Sequence, residues 1–219
     1  MSNLELKIQR PERLLRDQVT ETLRNAVIRG VFSPGDRLTE RELVDLTGVS
    51  RTSLREGLRQ LQAEGLLEQA AGRGLQVTLF SPAAVAELYE VREHLESAAV
   101  ELFVARATDA ELADLVHSVA EDSAPSDLGA LSSFHRALLD GAHNSLLKSL
   151  YESIAAKLAM MQNLSIRVPG RAAQSRAELQ SVLEYMQRRD SEGAREAVRS
   201  HVRKAQEVAL QELAAAAEH

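Results

Sequence analysis

Three arginines spaced four residues apart, Arg51, Arg55 and Arg59, follow a serine, Ser50, of the kind that caps the start of a helix. On an α-helix that spacing lines the three guanidinium groups along one face, while Leu54, Leu58 and Leu61 fall on another and pack inward. Thr52 and Ser53 add hydroxyls to the first turn. An apolar back, a cationic front and small hydroxyl residues at the leading end suit entry into a DNA major groove. Guanidinium groups there address guanine edges or phosphates, and hydroxyls reach phosphate oxygens. The competing reading is a solvated helix face, because charged faces are common.

The neighbouring sequence supplies elements that would hold this helix. Leu15, Val19, Leu23, Ala26 and Val27 recur at helical spacing between Leu14 and Arg29, and Gly30 ends the run. Ser33-Pro34-Gly35-Asp36 reads as a turn, after which Thr39 opens a second helix with Glu42 three residues on, a capping-box pattern. Leu43, Val44 and Leu46 are predicted to face the core, Gly48 to turn the chain, and the arginine helix to run to about Glu64 before Gly65. Beyond it the period changes from helical to alternating. Leu66 to Gln69 and Leu75 to Leu79 read as two strands joined by a glycine-rich tip that carries Gly72 and Arg73. Three helices and a β-hairpin predict a winged helix-turn-helix whose wing tip lies near a phosphate backbone or minor groove, with Arg73 placed to use it. The bland alternative is a solvent-exposed loop arginine.

Phe80-Ser81-Pro82 marks the predicted boundary, and the rest reads as α-helical. The expected spans are Pro82 to Ala107, Thr108 to Asp122, Ser126 to Gly141, Asn144 to Ile166, Ala172 to Arg189 and Ser191 to Ala217. The expectation is therefore a mainly α protein: a winged helix-turn-helix over 1–79, a linker at 80–82, and an all-α six-helix bundle over 83–219.

Net charge of −6 argues against a protein that coats nucleic acid indiscriminately, but the charge is uneven. Residues 1–80 carry net +1 and residues 81–219 net −7, so a local basic face would sit on a small module joined to an acidic body. Moderate affinity per module favours binding as a dimer. The absence of cysteine excludes disulfide scaffolds, thiolate zinc sites and thiol nucleophiles. No apolar run is long enough for a membrane span, and the first residues lack the apolar core of a signal peptide, so a cytoplasmic protein without a membrane partner is expected.

Here the residues carry a resemblance. The string LRNAVIRGVFSPGDRLTEREL, followed by GVSRTSLREGLRQLQAEGLL, resembles the DNA-binding domain of GntR-family bacterial transcription regulators over Leu14 to Leu79. YEVREHLE from Tyr89, FHRALLDGAHNSLL from Phe134 and RRDSEGAREAVRSH ending at His201 resemble the FadR-type effector domain called FCD. The resemblance implies a homodimeric repressor or activator that binds a double-stranded operator with two half-sites and answers to a small metabolite. It implies DNA contact at positions matching Arg41, Arg51 and Arg55, with Ser50, Thr52, Ser53 and the wing assisting; Ala71 stands where a histidine precedes the wing glycine in the type member.

The resemblance also implies a metal site of one aspartate and three histidines. His135 and His201 match it, but Leu131 stands at the aspartate and Glu178 at the middle histidine. Leu131 supplies no donor, so a metal-free effector pocket is expected. The alternative is one zinc, nickel or manganese ion on His135, Glu178 and His201. Arg92 is placed to meet an anionic effector or, more plainly, to pair with Glu96 at i+4. Asn144 is placed to meet a ligand or to cap a helix. Effector contact is thus assigned to Arg92, His135, Asn144, Glu178 and His201.

Two other classes compete. A metal-dependent enzyme would use His135, Glu178 and His201, yet no nucleophile elbow, phosphate loop or paired-carboxylate arrangement accompanies them, so no enzyme is expected. A helical scaffold without effector would have the same bundle but no polar interior around Arg92, His135 and His201.

Overall fold

The computed structural model describes residues 11–72, 74–121, 132–166 and 168–217. The chain divides into two compact units, Met1–Val27 with Val31–Thr78, and Ile28–Gly30 with Leu79–His219.

The first unit contains α1 (Pro11–Ile28), β1 (Arg37–Leu38), α2 (Glu40–Thr47), α3 (Arg51–Ala63), β2 (Leu67–Gln69) and β3 (Leu75–Val77). Its core is Val19, Leu23 and Val27 of α1 against Leu43, Leu54, Leu58 and Leu61, closed below by Leu66, Leu67 and Val77. Gly57 is what lets α3 approach α1, because a Cβ there would lie 3.1 Å from Thr20 Oγ1. Arg24 then fixes the pair, donating from Nε and Nη2 to the two Glu64 oxygens at 2.8 and 2.7 Å.

Both short helices start and stop as their caps dictate. Thr39 Oγ1 accepts from Glu42 N at 3.3 Å and donates to Glu42 Oε2 at 2.7 Å, so the box closes between side chains. Gly48 ends α2 at φ 67°, a left-handed conformation that costs glycine nothing, and its N–H returns to Val44 O.

Two expectations need correction. The wing is part of a three-stranded antiparallel sheet of order β1-β3-β2, and β1 was not predicted. At two residues it is too short to show alternation, and its pairing of Arg37 with Gln76 and Leu38 with Leu75 is wholly tertiary. Leu46 is 72% exposed, not in the core. It stands at the rim of an open groove with Phe32, Leu38 and Leu43, where none of the unit's described residues packs over it.

The second unit contains α4 (Pro82–Arg106), α5 (Asp109–Glu121), α6 (Ser133–Gly141), α7 (Ser145–Ile166), α8 (Arg171–Gln187) and α9 (Ser191–Ala217). The long α4 and α9 form its principal packed pair, and α8 lies along α9. The core runs through Val85, Tyr89, Val100, Phe103, Phe134, Leu138, Met161, Val182, Val198 and Val202. Within the described residues α6 starts at Ser133, because Ser132 is extended, at φ −64° and ψ 160°, and caps it by accepting from His135 N. Residues 122–131, including Leu131, lie outside the described residues, as does Arg73.

Candidate functional site

The candidate residues of the first unit lie on α2, on α3 and at the wing tip. Arg41, Arg51, Thr52 and Arg55 are exposed. Ser50 caps α3, accepting from Ser53 N at 3.2 Å, and its hydroxyl lies 3.0 Å from that of Ser53. These two hydroxyls are thus engaged with each other, whereas no hydrogen bond holds the exposed Thr52 hydroxyl among the described residues. Arg55 Nε donates to both oxygens of Glu40, at 2.8 and 2.9 Å. The hydrogen bond from Arg55 and then its charge hold the Glu40 carboxyl below its ordinary pKa. At the wing tip Ala70 N bonds Gly74 O at 3.1 Å, Arg37 Nη2 donates to Ala71 O at 3.0 Å, and exposed Gly72 sits at φ 107°.

The second unit buries a polar network at the heart of its bundle. Arg92 and Glu96 lie one turn apart on α4, side chains 0% and 1% exposed, with Nε donating to Oε1 at 2.7 Å. The plain reading of that spacing is correct, but the pair is inside. Glu96 Oε1 also accepts from His135 Nε2 of α6 at 3.0 Å and from Tyr151 OH of α7 at 2.8 Å. Ser132 Oγ lies 2.7 Å from His135 Nδ1 and completes that arm. In the other direction Arg92 Nη2 stands 3.4 Å from His201 Nε2 of α9, and His201 Nδ1 meets Glu178 Oε2 of α8 at 2.7 Å. Arg171 clasps Glu178 through both Nη groups at 3.1 Å.

Donor and acceptor matching assigns the imidazoles opposite tautomers. His135 donates from Nε2 to a carboxylate and takes the Ser132 hydroxyl on Nδ1; His201 donates from Nδ1 to Glu178 and faces Arg92 with a bare Nε2. Burial, helped by the Arg92 charge, pushes the His201 pKa down against the pull of Glu178, consistent with a neutral ring. Burial opposes ionisation of both carboxyls, yet Arg92 and His135 hold Glu96 well below the carboxylate range, and His201 and Arg171 hold Glu178 down to about 2. The Tyr151 hydroxyl is pushed up by burial and by Glu96.

These shifts predict acid sensitivity. His201 binds a proton more weakly folded than unfolded, so stability falls as pH drops below about 6.5. The depressed carboxyls Glu96 and Glu178 add a further loss below their unfolded values, near pH 4.5, which continues toward about 2 for Glu178. Denaturant unfolding is expected to show a midpoint that declines steadily from pH 7 to pH 4; a flat or rising midpoint would contradict this assignment of charges.

Arg92, His135, Glu178 and His201 are therefore brought together, while Asn144 is not in the network: its Oδ1 accepts from Leu147 N at 3.1 Å as the cap of α7. Among the described residues no three His, Asp or Glu side chains are grouped to hold an ion. Each imidazole is engaged by a different carboxylate, His135 by Glu96 and His201 by Glu178. Sequence reasoning missed Tyr151 and Arg171 and took Glu96 only as the i+4 partner of Arg92. The available signal was that Arg92 and Glu96 continue the apolar stripe Val85, Tyr89, Val100 and Phe103 at helical spacing.

Two buried polar atoms of this network, Arg92 Nη1 and Glu96 Oε2, have no hydrogen-bond partner among the described residues. Buried polar groups are ordinarily satisfied, so these atoms stand out from the rest of the network.

Comparisons with known proteins agree with this architecture. Residues 15–77 match the bacterial regulatory proteins of the gntR family, and residues 87–204 match the FCD domain. The uncharacterized HTH-type transcriptional regulator YdhC of Bacillus subtilis (strain 168) is 30% identical over 194 residues, 84% of this chain and 86% of that protein. The Uxu operon transcriptional regulator of Escherichia coli (strain K12) is 30% identical over 157 residues, 61% of each. Among solved structures, a transcriptional regulator GntR from Rhodococcus sp. RHA1 superposes with a TM-score of 0.76 at 22% identity, covering 90% of this chain and 98% of that one. E. coli McbR/YncC superposes at 0.72 with 21% identity, over 90% and 97%. Both share the fold. Among the described residues no helix is long and apolar enough to cross a membrane. The chain belongs to the GntR family of bacterial transcription regulators, proteins that bind DNA and are not enzymes, and it carries their FCD domain.

Proposed function

We propose that this regulator acts as a homodimeric repressor whose two α3 helices each enter a major groove of a two-half-site operator. In this reading Arg41, Arg51 and Arg55 make the principal contacts, the Thr52 hydroxyl assists from the first turn, and Gly72 and Arg73 approach the backbone from the wing. The bundle receives a small effector at Arg92, His135, Glu178 and His201 without a metal. The observation that carries the effector reading is the buried network with Arg92 Nη1 and Glu96 Oε2 unmet.

Charge indicates the effector's class. Arg92 and Arg171 are answered inside the bundle by Glu96 and Glu178, so a charged effector would add an uncompensated charge to a closed site. A neutral molecule with hydroxyl or amide groups meets both the open donor and the open acceptor. Because the network is nearly complete without ligand, an effector entering it must rearrange it. Only such a difference in affinity between two states can change operator binding.

Selection of binding sites from a random duplex pool tests the first part. Enrichment of a two-half-site sequence, bound by two chains, is expected; enrichment of no sequence would overturn the reading. On that operator, mobility shifts with matched amide, alcohol and carboxylate metabolites test the second, and release by carboxylates alone would overturn the assignment of a neutral effector.

A further inference from the structure

We infer that Glu40 is a positioning residue that turns Arg55 from a phosphate clamp into a reader of a base edge. The inference rests on the proposal that α3 enters the major groove. Glu40 is the first residue of α2 and Arg55 lies one turn into α3, so the pair spans the turn of the helix-turn-helix. Both partners are substantially exposed, 61% for Arg55 and 43% for Glu40.

The atoms used decide what remains. Both carboxylate oxygens are taken by Nε, at 2.8 and 2.9 Å, which leaves the terminal fork of Nη1 and Nη2 for another partner. That fork matches the O6 and N7 acceptors of guanine. The pair as a whole carries no net charge, so its attraction to a phosphate is weak while its hydrogen-bond geometry is intact. A lone arginine gains from phosphate through charge and swings freely; a buttressed, neutralised one gains chiefly where two acceptors are correctly spaced. Glu40 also needs the pair, because an unanswered carboxylate at this surface would repel the DNA backbone.

The test uses the full chain, the operator obtained by selection, and single-base variants of it, titrated with salt. Glu40→Ala frees Arg55 as a cation. The slope of log K against log salt is then expected to steepen by about 0.9 per half-site. Guanine preference is expected to fall about two- to tenfold at a single position of each half-site, the ordering cost of an unrestrained side chain, with other positions unchanged. Glu40→Gln, which keeps one acceptor, should fall between parent and alanine. An unchanged slope with unchanged base preference overturns the inference, and so does a uniform loss at all positions, which would indicate damage to the fold. Uniformly tighter binding with intact preference overturns it as well, assigning Glu40 to plain inhibition. Arg55→Ala separates the levels. If it alters no base preference, the recognition-helix reading itself fails; if it does while both Glu40 variants behave as the parent, only the role of Glu40 fails.

Discussion

Replacing Glu96 with alanine is expected to cost the helical bundle about 3–5 kcal/mol of folding stability, the usual penalty for removing one member of a buried ion pair. The cost arises from what stays behind. Arg92, wholly buried, would keep its charge without an answering carboxylate, and the His135 Nε2–H and Tyr151 hydroxyl would lose the acceptor they share. Removing both charges should cost less than removing Glu96 alone: Arg92→Met with Glu96→Leu leaves no unpaired buried charge, and what remains is about 1–3 kcal/mol for each of the two donors, His135 and Tyr151, that still lacks its acceptor. The chain reports on this conveniently. It has no tryptophan, and its three tyrosines, Tyr89, Tyr151 and Tyr185, all lie in the second unit, so tyrosine fluorescence during urea unfolding follows the bundle. A Glu96→Ala loss below about 1 kcal/mol would show that water reaches the pair. The double variant carries the functional question further: it should fold and bind operator while no longer responding to effector, which separates what the pair does for stability from what it does for control.

Arg51→Ala and Arg55→Ala are each expected to weaken operator binding by roughly 30-fold to more than 1,000-fold at matched salt. A base contact of this type is worth about 1–3 kcal/mol, and a dimer loses two of them. Arg59 supplies the control. It lies farther along α3 in a groove with Asp17, Glu21 and Glu56, an acidic setting that does not favour the DNA backbone, and Arg59→Ala is expected to stay within about twofold of the parent. Mobility shifts on the selected operator, with thermal midpoints to establish folding, decide the matter. Parental affinity in both Arg51→Ala and Arg55→Ala would remove α3 from the groove.

What the sequence made legible was what local chemistry controls. Thr39, Gly48 and Ser50 act at the positions read for them, because a cap is decided by a side chain and the backbone within three residues of it. Leu54, Leu58 and Leu61 are buried as their spacing requires. What escaped was tertiary. Arg37 and Leu38 become a strand only because β3 returns beside them, and Leu46 is exposed because no described element of the unit crosses its side of α2. The bundle gives the sharpest case. An arginine and a glutamate at i+4 look the same on a wet face and in a core, and only the arrival of His135, Tyr151 and His201 from three other helices makes this pair an interior one. Tyr151 and Arg171 joined the network unannounced for the same reason, since neither has a partner nearby in sequence that marks its role.

The short strand β1 has a consequence for how such regulators can be recombined. Arg37 and Leu38 are paired to the returning strand of the wing, and the next two residues are the cap and the first residue of α2. Arg37 further holds the carbonyl of Ala71 at the wing tip. A chimaera that exchanged only the hairpin between relatives, cutting near Leu66 and Thr78, would give Arg37 a foreign strand to pair with and would transmit the mismatch straight to the start of α2. The natural unit of exchange runs from the Ser33 turn through Thr78, so that the wing travels together with the residues upstream that fasten it.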